Sequence, residues 1–167
     1  MKNIVLCGFM GCGKTTLAKR LARRFNMNLI DTDEEIVRAE GRTIAEIFET
    51  DGETYFRALE TELIKKLAKQ ENCVVSLGGG VAAKEVNHPY LKEIGIVVLL
   101  DCGIDNTIKR ILGDKKRPLA QNGAEDIKQR YYARMPIYRN VADVIVDSSK
   151  GKGETFKNVV KALEELK

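Results

Sequence analysis

The chain has 167 residues, enough for one domain with a sizeable core. Hydrophobic residues at 44% and charged residues at 31% give an ordinary globular balance, with no apolar run near the roughly 20 residues that a membrane span requires. The net charge of +4 admits nucleic acid or a cleft of arginines for small anions, and the lack of a long basic arm or interleaved aromatic stripe favours the anions.

The first element is a strand over Asn3–Cys7. Gly8 interrupts it and Gly11, Gly13 and Lys14 follow, so the N-terminus does not read as a signal peptide and a cytoplasmic protein is expected. Gly8-Phe-Met-Gly-Cys-Gly-Lys14-Thr15 matches G-x-x-x-x-G-K-[ST] between this strand and an amphipathic helix carrying Leu17, Leu21 and Phe25 on one face. The glycines let successive N–H groups turn inward at a helix N-terminus, which makes a nest for phosphate. Lys14 is then placed to reach the outer phosphates, and the Thr15 hydroxyl to bind Mg²⁺. Cys12, inside the loop, reads either as an oxidisable thiol at a helix N-terminus or as a small side chain that fits there. Cys7, Cys12, Cys73 and Cys102 form no CxxC pair and the single histidine is His88, which predicts reduced thiols and no structural zinc.

The second strand, Asn28–Ile30, leads into Asp31-Thr32-Asp33. Two carboxylates at the carboxyl edge of a parallel sheet can hold Mg²⁺ through water and orient an attacking hydroxyl, while Thr32-Asp-Glu-Glu35 also reads as a helix capping box. From about residue 33 to residue 69 there is too much helix for one crossover, which predicts a helical insertion. Thr43-Ile-Ala-Glu46 caps one of its helices, and Phe56, Leu59, Leu63, Ile64 and Leu67 share a face of another. Arg57 and Glu60, three residues apart, pair either as a surface salt bridge or as a clamp for a substrate carboxylate.

The third strand, Cys73–Leu77, ends in Gly78-Gly79-Gly80 rather than in an acid, which implies close approach of a ligand to the backbone or a plain turn. His88 precedes Pro89 in an expected turn and takes no role. The fourth strand, Ile96–Leu100, ends at Asp101, which is either a metal-side acid or an ordinary strand end. Arginines recur at Arg110, Arg117, Arg130, Arg134 and Arg139. Gly113–Gly123 is polar and basic, reads as a lid, and holds Arg117-Pro118 where an arginine could fold over transferred phosphate. A fifth strand, Val144–Val146, precedes a helix with Phe156, Val159, Val160, Leu163 and Leu166 on one stripe. Mostly unbroken apolar strands alternating with helices predict an α/β domain, three layers around a parallel sheet with right-handed crossovers.

Taken together, GFMGCGKT, Asp31-Thr-Asp33, Gly52-Glu-x-x-Phe-Arg57-x-x-Glu60, Leu77-Gly-Gly-Gly80, Arg117-Pro-Leu119 and Arg134-x-x-x-Tyr138 resemble the shikimate kinase family along nearly the whole chain. The resemblance implies a P-loop fold similar to the nucleoside monophosphate kinases, with strand order 2-3-1-4-5. It implies transfer of the ATP γ-phosphoryl group to the 3-hydroxyl of shikimate on the route to chorismate, by a monomer with no nucleic-acid or membrane partner. Lys14, Asp33 and Arg117 would be catalytic. Gly11, Cys12, Gly13, Lys14, Thr15, Thr16, Arg110 and Arg117 would bind ATP, with Arg110 against adenine. Asp33, Arg57, Gly78, Gly79, Gly80 and Arg134 would bind shikimate, and Thr15, with Asp31 through water, would hold Mg²⁺. Cys12 stands where the family often has Ser or Ala, and Asp147-Ser-Ser-Lys150 matches weakly where the adenine loop belongs. The alternatives are a kinase for another polyol acid such as gluconate, and a non-catalytic module that senses ATP or shikimate.

Overall fold

β1 (Asn3–Gly8) is buried at every position, which is why Ile4, Val5, Leu6 and Cys7 run without a polar break. The computed structural model describes residues 1–113 and 123–166. After β1 come α1 (Lys14–Phe25), β2 (Asn28–Asp31), α2 (Thr32–Glu40) and α3 (Ile44–Leu67). β3 (Cys73–Ser76), a short 3₁₀ turn at Glu85–Asn87, α4 (His88–Ile94) and β4 (Gly95–Asp101) follow. The chain closes with α5 (Ile104–Leu112), α6 (Gly123–Val141), β5 (Val144–Asp147) and α7 (Lys152–Glu165).

The sheet has five strands in the order β2-β3-β1-β4-β5, and every pairing is parallel. The order and the three layers are those expected. Side chains alternate across β1, so Ile4 and Leu6 pack with Leu17, Leu21, Val159 and Leu163 from α1 and α7. Val5 and Cys7 pack on the other face with Ile64, Leu91, Ile111 and Tyr138 from α3, α4, α5 and α6. A satellite cluster of Ile36, Ile47 and Phe56 joins α2 to α3.

Local sequence explains the helix ends between β2 and β3. Thr43 accepts from Glu46 N–H while the Glu46 side chain accepts from Thr43 N–H, the expected capping box. Gly52, at φ 84° and ψ 173°, breaks α3 into two helical arms, a conformation that suits glycine alone. Three expectations change. The cap of α2 is Asp31, whose carboxylate accepts from the N–H groups of Asp33 and Glu34, because the Thr32 hydroxyl is used elsewhere. Leu166 lies past the end of α7 and is 52% exposed, so the stripe stops at Leu163. His88 opens α4 with Pro89 in its first turn, where a missing N–H costs nothing, and its ring bonds the Ala82 carbonyl. Among the described residues no helix is long and apolar enough to cross a membrane.

Candidate active site

The turn from β1 into α1 holds angles that only glycine adopts easily. Gly11 and Gly13 have φ of 78° and 92°, and a β-carbon on Gly8 would lie 2.6 Å from the Leu100 carbonyl. Lys14 Nζ donates to the carbonyls of Gly8 at 2.6 Å and Phe9 at 3.3 Å, so its charge is held over the loop. Cys12 is buried among apolar side chains and packs against Gly8, which favours its reading as a small residue that fits. Burial pushes the neighbouring Cys7 thiol up to about 12, so it stays protonated.

Two cavities share Gly11, Cys12, Gly13 and Thr16 as a common wall. One, of about 400 Å³, reaches outward to Arg20, Arg110, Ser148 and Thr155. Arg110 spans its rim, donating to Gly11 O at 3.0 Å and to Ser148 O at 3.1 Å, which ties the loop after β5 to the phosphate loop. Arg20 holds the far side of that loop by donating to Lys152 O at 2.8 Å while lying over the Phe156 ring. The Arg20 contact left no signal in the sequence beyond an arginine on an exposed helix face.

The other cavity, of about 410 Å³, is lined by Lys14, Thr15, Asp31, Asp33, Ser76, Gly78 and Gly79. Here α2, α3 and α6 converge on the glycine turn after β3. A β-carbon at Gly78 would lie 2.5 Å from Asp33 Oδ1, and one at Gly79 would lie 3.6 Å from Arg134 Nη1. One at Gly80 would overlap the Arg57 guanidinium. None of the three has a left-handed φ. These glycines therefore make room for protein side chains, which revises their reading as ligand contacts alone. The Gly78 N–H is itself committed to the Thr32 hydroxyl.

Arg57 pairs with Glu60 at 2.6 Å, as its spacing suggests, but the pair is not on the surface: the Glu60 side chain is 2% exposed. Glu53 adds a longer contact at 3.4 Å. Glu60 Oε1 takes the arginine, while its other oxygen is buried with no hydrogen-bond partner among the described residues. Burial raises the Asp33 carboxyl above its ordinary value, and the Asp31 carboxylate raises it further, against the pull of Lys14 and Arg57.

Other candidates fall outside this arrangement. Asp101 accepts from Tyr131 Oη at 2.7 Å, from Gly103 N–H and from Arg139, so it is a structural strand end. Arg130 pairs with Asp126 on α6. Arg117, Pro118 and Leu119, with most of the lid, lie outside the described residues.

The chain matches known proteins along most of its length. Residues 10–164 match the family model for shikimate kinase. The chain belongs to the shikimate kinase family. Members of this family are ATP-dependent kinases that transfer phosphate to shikimate, and that is the activity of this chain. A shikimate kinase of Caldicellulosiruptor bescii is 44% identical over 142 residues, 84% of this chain and 83% of that protein. The crystal structure of shikimate kinase from Aquifex aeolicus superposes with a TM-score of 0.88 at 38% identity, covering 97% of this chain and 96% of that one. Shikimate kinase from Acinetobacter baumannii in complex with shikimate gives 0.87 at 35% identity, over 99% and 93% of the two chains. A gluconokinase from Sinorhizobium meliloti reaches only 0.67 at 20% identity over 99% and 93%, which shows a shared fold alone.

Proposed function

We propose that this protein transfers the γ-phosphoryl group of ATP to the 3-hydroxyl of shikimate through the residues gathered at the glycine turn. The observation that carries this reading is the convergence of Asp33, Arg134 and Arg57 on Gly78, Gly79 and Gly80, a turn whose Gly78 and Gly79 border the cavity that Asp33, Lys14 and Thr15 also line. A polyol acid presents a planar carboxylate, which arginine guanidinium groups match, and hydroxyls, which donate to a carboxylate; Arg57, Arg134 and Asp33 supply both kinds of partner.

Asp33 accepts hydrogen bonds from the shikimate hydroxyls and takes or orients the proton of the attacking one. Arg57, held by Glu60, and Arg134 clamp the carboxylate from α3 and α6, with the glycine backbone between them. Lys14 leaves the Gly8 and Phe9 carbonyls for the outer phosphates, and the N–H groups of Gly11, Gly13 and Thr15 cradle them beside Cys12. Arg110 and Thr16 border the adenine side, and Arg117 closes over the phosphates from a lid. Phosphoryl transfer asks for this kind of positioning and charge compensation rather than covalent chemistry.

The residues present fit Mg²⁺. Thr15 offers a hydroxyl, and Asp31, one of whose oxygens caps α2, lines the same cavity and would hold the ion through water. Thr15 and Asp31 would hold the ion alongside the phosphates of ATP, a donor set of the kind that Mg²⁺ takes. When bound, the ion neutralises charge on the β- and γ-oxygens. The helices between β2 and β3 act as the shikimate-binding insertion, and residues of about 113–123 as the lid. We take the protein to work as a monomer in the cytoplasm. Release of ADP, coupled to a spectroscopic readout with shikimate, gluconate and no acceptor in parallel, tests this reading. Turnover with shikimate no greater than with ATP alone overturns it.

A further inference from the structure

Three consecutive glycines give the turn after β3 no side chains with which to hold its own shape, yet Asp33, Arg134 and Arg57 are all spaced from it. Among the described residues, two hydrogen bonds from outside hold it. The Thr32 hydroxyl accepts from Gly78 N–H at 2.8 Å, and Thr32 is 0% exposed. The Tyr138 hydroxyl donates to the Gly79 carbonyl at 2.5 Å, and Tyr138 is 0% exposed.

Each bond sits next to one of the site residues. The last ladder pair of β2 and β3 is Asp31 with Ser76, after which β2 turns into α2 and β3 into the glycine turn. The Thr32 hydroxyl carries the pairing one step past that point, so the two chains part while still joined. Its chain neighbour Asp33 is left with its carboxylate against Gly78, and the Asp33 N–H is fixed by Asp31. Tyr138 stands one helical turn after Arg134 on the same face of α6. Pro136 between them removes a helix hydrogen bond, so the bond to Gly79 registers this stretch of α6 on the turn. Burial pushes the Tyr138 phenol up to about 12, which keeps it a neutral donor at working pH.

We infer that Thr32 and Tyr138 are positioning residues for phosphoryl transfer, Thr32 by setting Asp33 against Gly78 and Tyr138 by setting Arg134 against Gly79. The inference rests on the roles proposed above for Asp33 and Arg134. Because the two bonds act through different side chains, their loss has different kinetic signatures. Misplacing the group that handles the reacting hydroxyl lowers kcat, whereas misplacing a carboxylate clamp raises KM for the acceptor.

Steady-state kinetics with shikimate and Mg-ATP on Thr32→Val, Thr32→Ser, Tyr138→Phe and Asp33→Asn, each with its thermal midpoint, test this. Thr32→Val lowers kcat by about tenfold or more with KM for ATP within about twofold, and Thr32→Ser, which keeps the hydroxyl, stays within about twofold of the parent. Tyr138→Phe, one oxygen atom smaller, raises KM for shikimate by about tenfold and leaves kcat and KM for ATP within about twofold. Full activity of Thr32→Val, or a Tyr138→Phe enzyme whose two KM values are unchanged or rise together, overturns the corresponding half. Should Thr32→Val not fold, Thr32→Ala against Thr32→Ser gives the same contrast. An inert Asp33→Asn enzyme beside a fully active Thr32→Val one sinks the inference while the role of Asp33 stands. Full kcat in Asp33→Asn overturns the role of Asp33, and the Thr32 half with it, leaving Tyr138 to its own readout.

Discussion

Gly80 is the residue that lets Arg57 lie where it does: a β-carbon there would overlap the guanidinium. The two are separated in the chain by the second arm of α3 and the whole of β3, and Glu60 holds the arginine in place from one turn further along the helix. Gly80→Ala therefore displaces Arg57 from the turn without touching the phosphate loop. KM for shikimate rises by about tenfold or more while KM for ATP is unchanged. Gly153→Ala, where a β-carbon meets nothing within 4 Å, is the matched control. A Gly80→Ala enzyme with the parental shikimate KM contradicts the packing argument.

Replacing Arg57 has two effects that can be separated. Arg57→Ala removes a guanidinium proposed to hold the substrate carboxylate, and it strands the buried Glu60 carboxylate, a loss of about 3–5 kcal/mol for a broken buried pair. The single variant should show both a raised shikimate KM and a lowered thermal midpoint. Adding Glu60→Gln relieves the stranded charge, so the midpoint recovers in Arg57→Ala/Glu60→Gln and the KM does not. Recovery of both together would mean that Arg57 is structural.

Asp33 couples activity to pH and stability in opposite directions. Its folded pKa lies above the ordinary value of 3.8, mainly through burial, and the carboxylate form is the one proposed to act. The acidic limb of kcat/KM should sit above the ordinary carboxylate range and vanish in Asp33→Asn together with at least about a hundredfold of kcat. In the folded state the group binds its proton more tightly than when unfolded, so the stability it contributes falls as pH rises from its ordinary value through its raised one. Asp33→Asn should thus melt higher than the parent at neutral pH, with the gap closing once the pH drops below the ordinary value. A melting difference that does not change with pH would show that Asp33 titrates alike in the folded and unfolded chain and would contradict the raised value.

Arg110 is bonded to two carbonyls, Gly11 O and Ser148 O, from opposite walls of the same cavity. Arg110→Ala frees the loop after β5 from the phosphate loop. KM for ATP should rise by about tenfold with KM for shikimate within about twofold, because each lost bond is worth roughly 1 kcal/mol and neither touches the acceptor side. Isothermal titration with an ATP analogue checks this directly, and undiminished affinity would leave Arg110 as a surface helix residue.

Much of this was legible in residues close together in the chain. The phosphate loop, the Thr43 capping box and the Arg57–Glu60 pair depend on backbone angles and on i, i+3 spacing, which sequence expresses directly. Thr32 is the instructive failure. Beside two acids it reads as a helix cap, but Asp31 takes the cap and frees the Thr32 hydroxyl for Gly78, a residue 46 positions away. Asp101 is open in the sequence between a metal-side acid and an ordinary strand end, and only the approach of Tyr131 and Arg139 from α6 favours the second.

By itself the sequence determined the strand-and-helix order, the phosphate loop and membership of the family, because periodicity, turn chemistry and motif spacing are properties of contiguous chain. The tertiary structure decided which side chain each glycine of the turn accommodates: Asp33 at Gly78, Arg134 at Gly79 and Arg57 at Gly80. Those partners come from α2, α6 and α3, which meet because the crossovers of a parallel sheet bring the ends of distant elements to one edge. A missing β-carbon records that something must come close; only the assembled fold says what does.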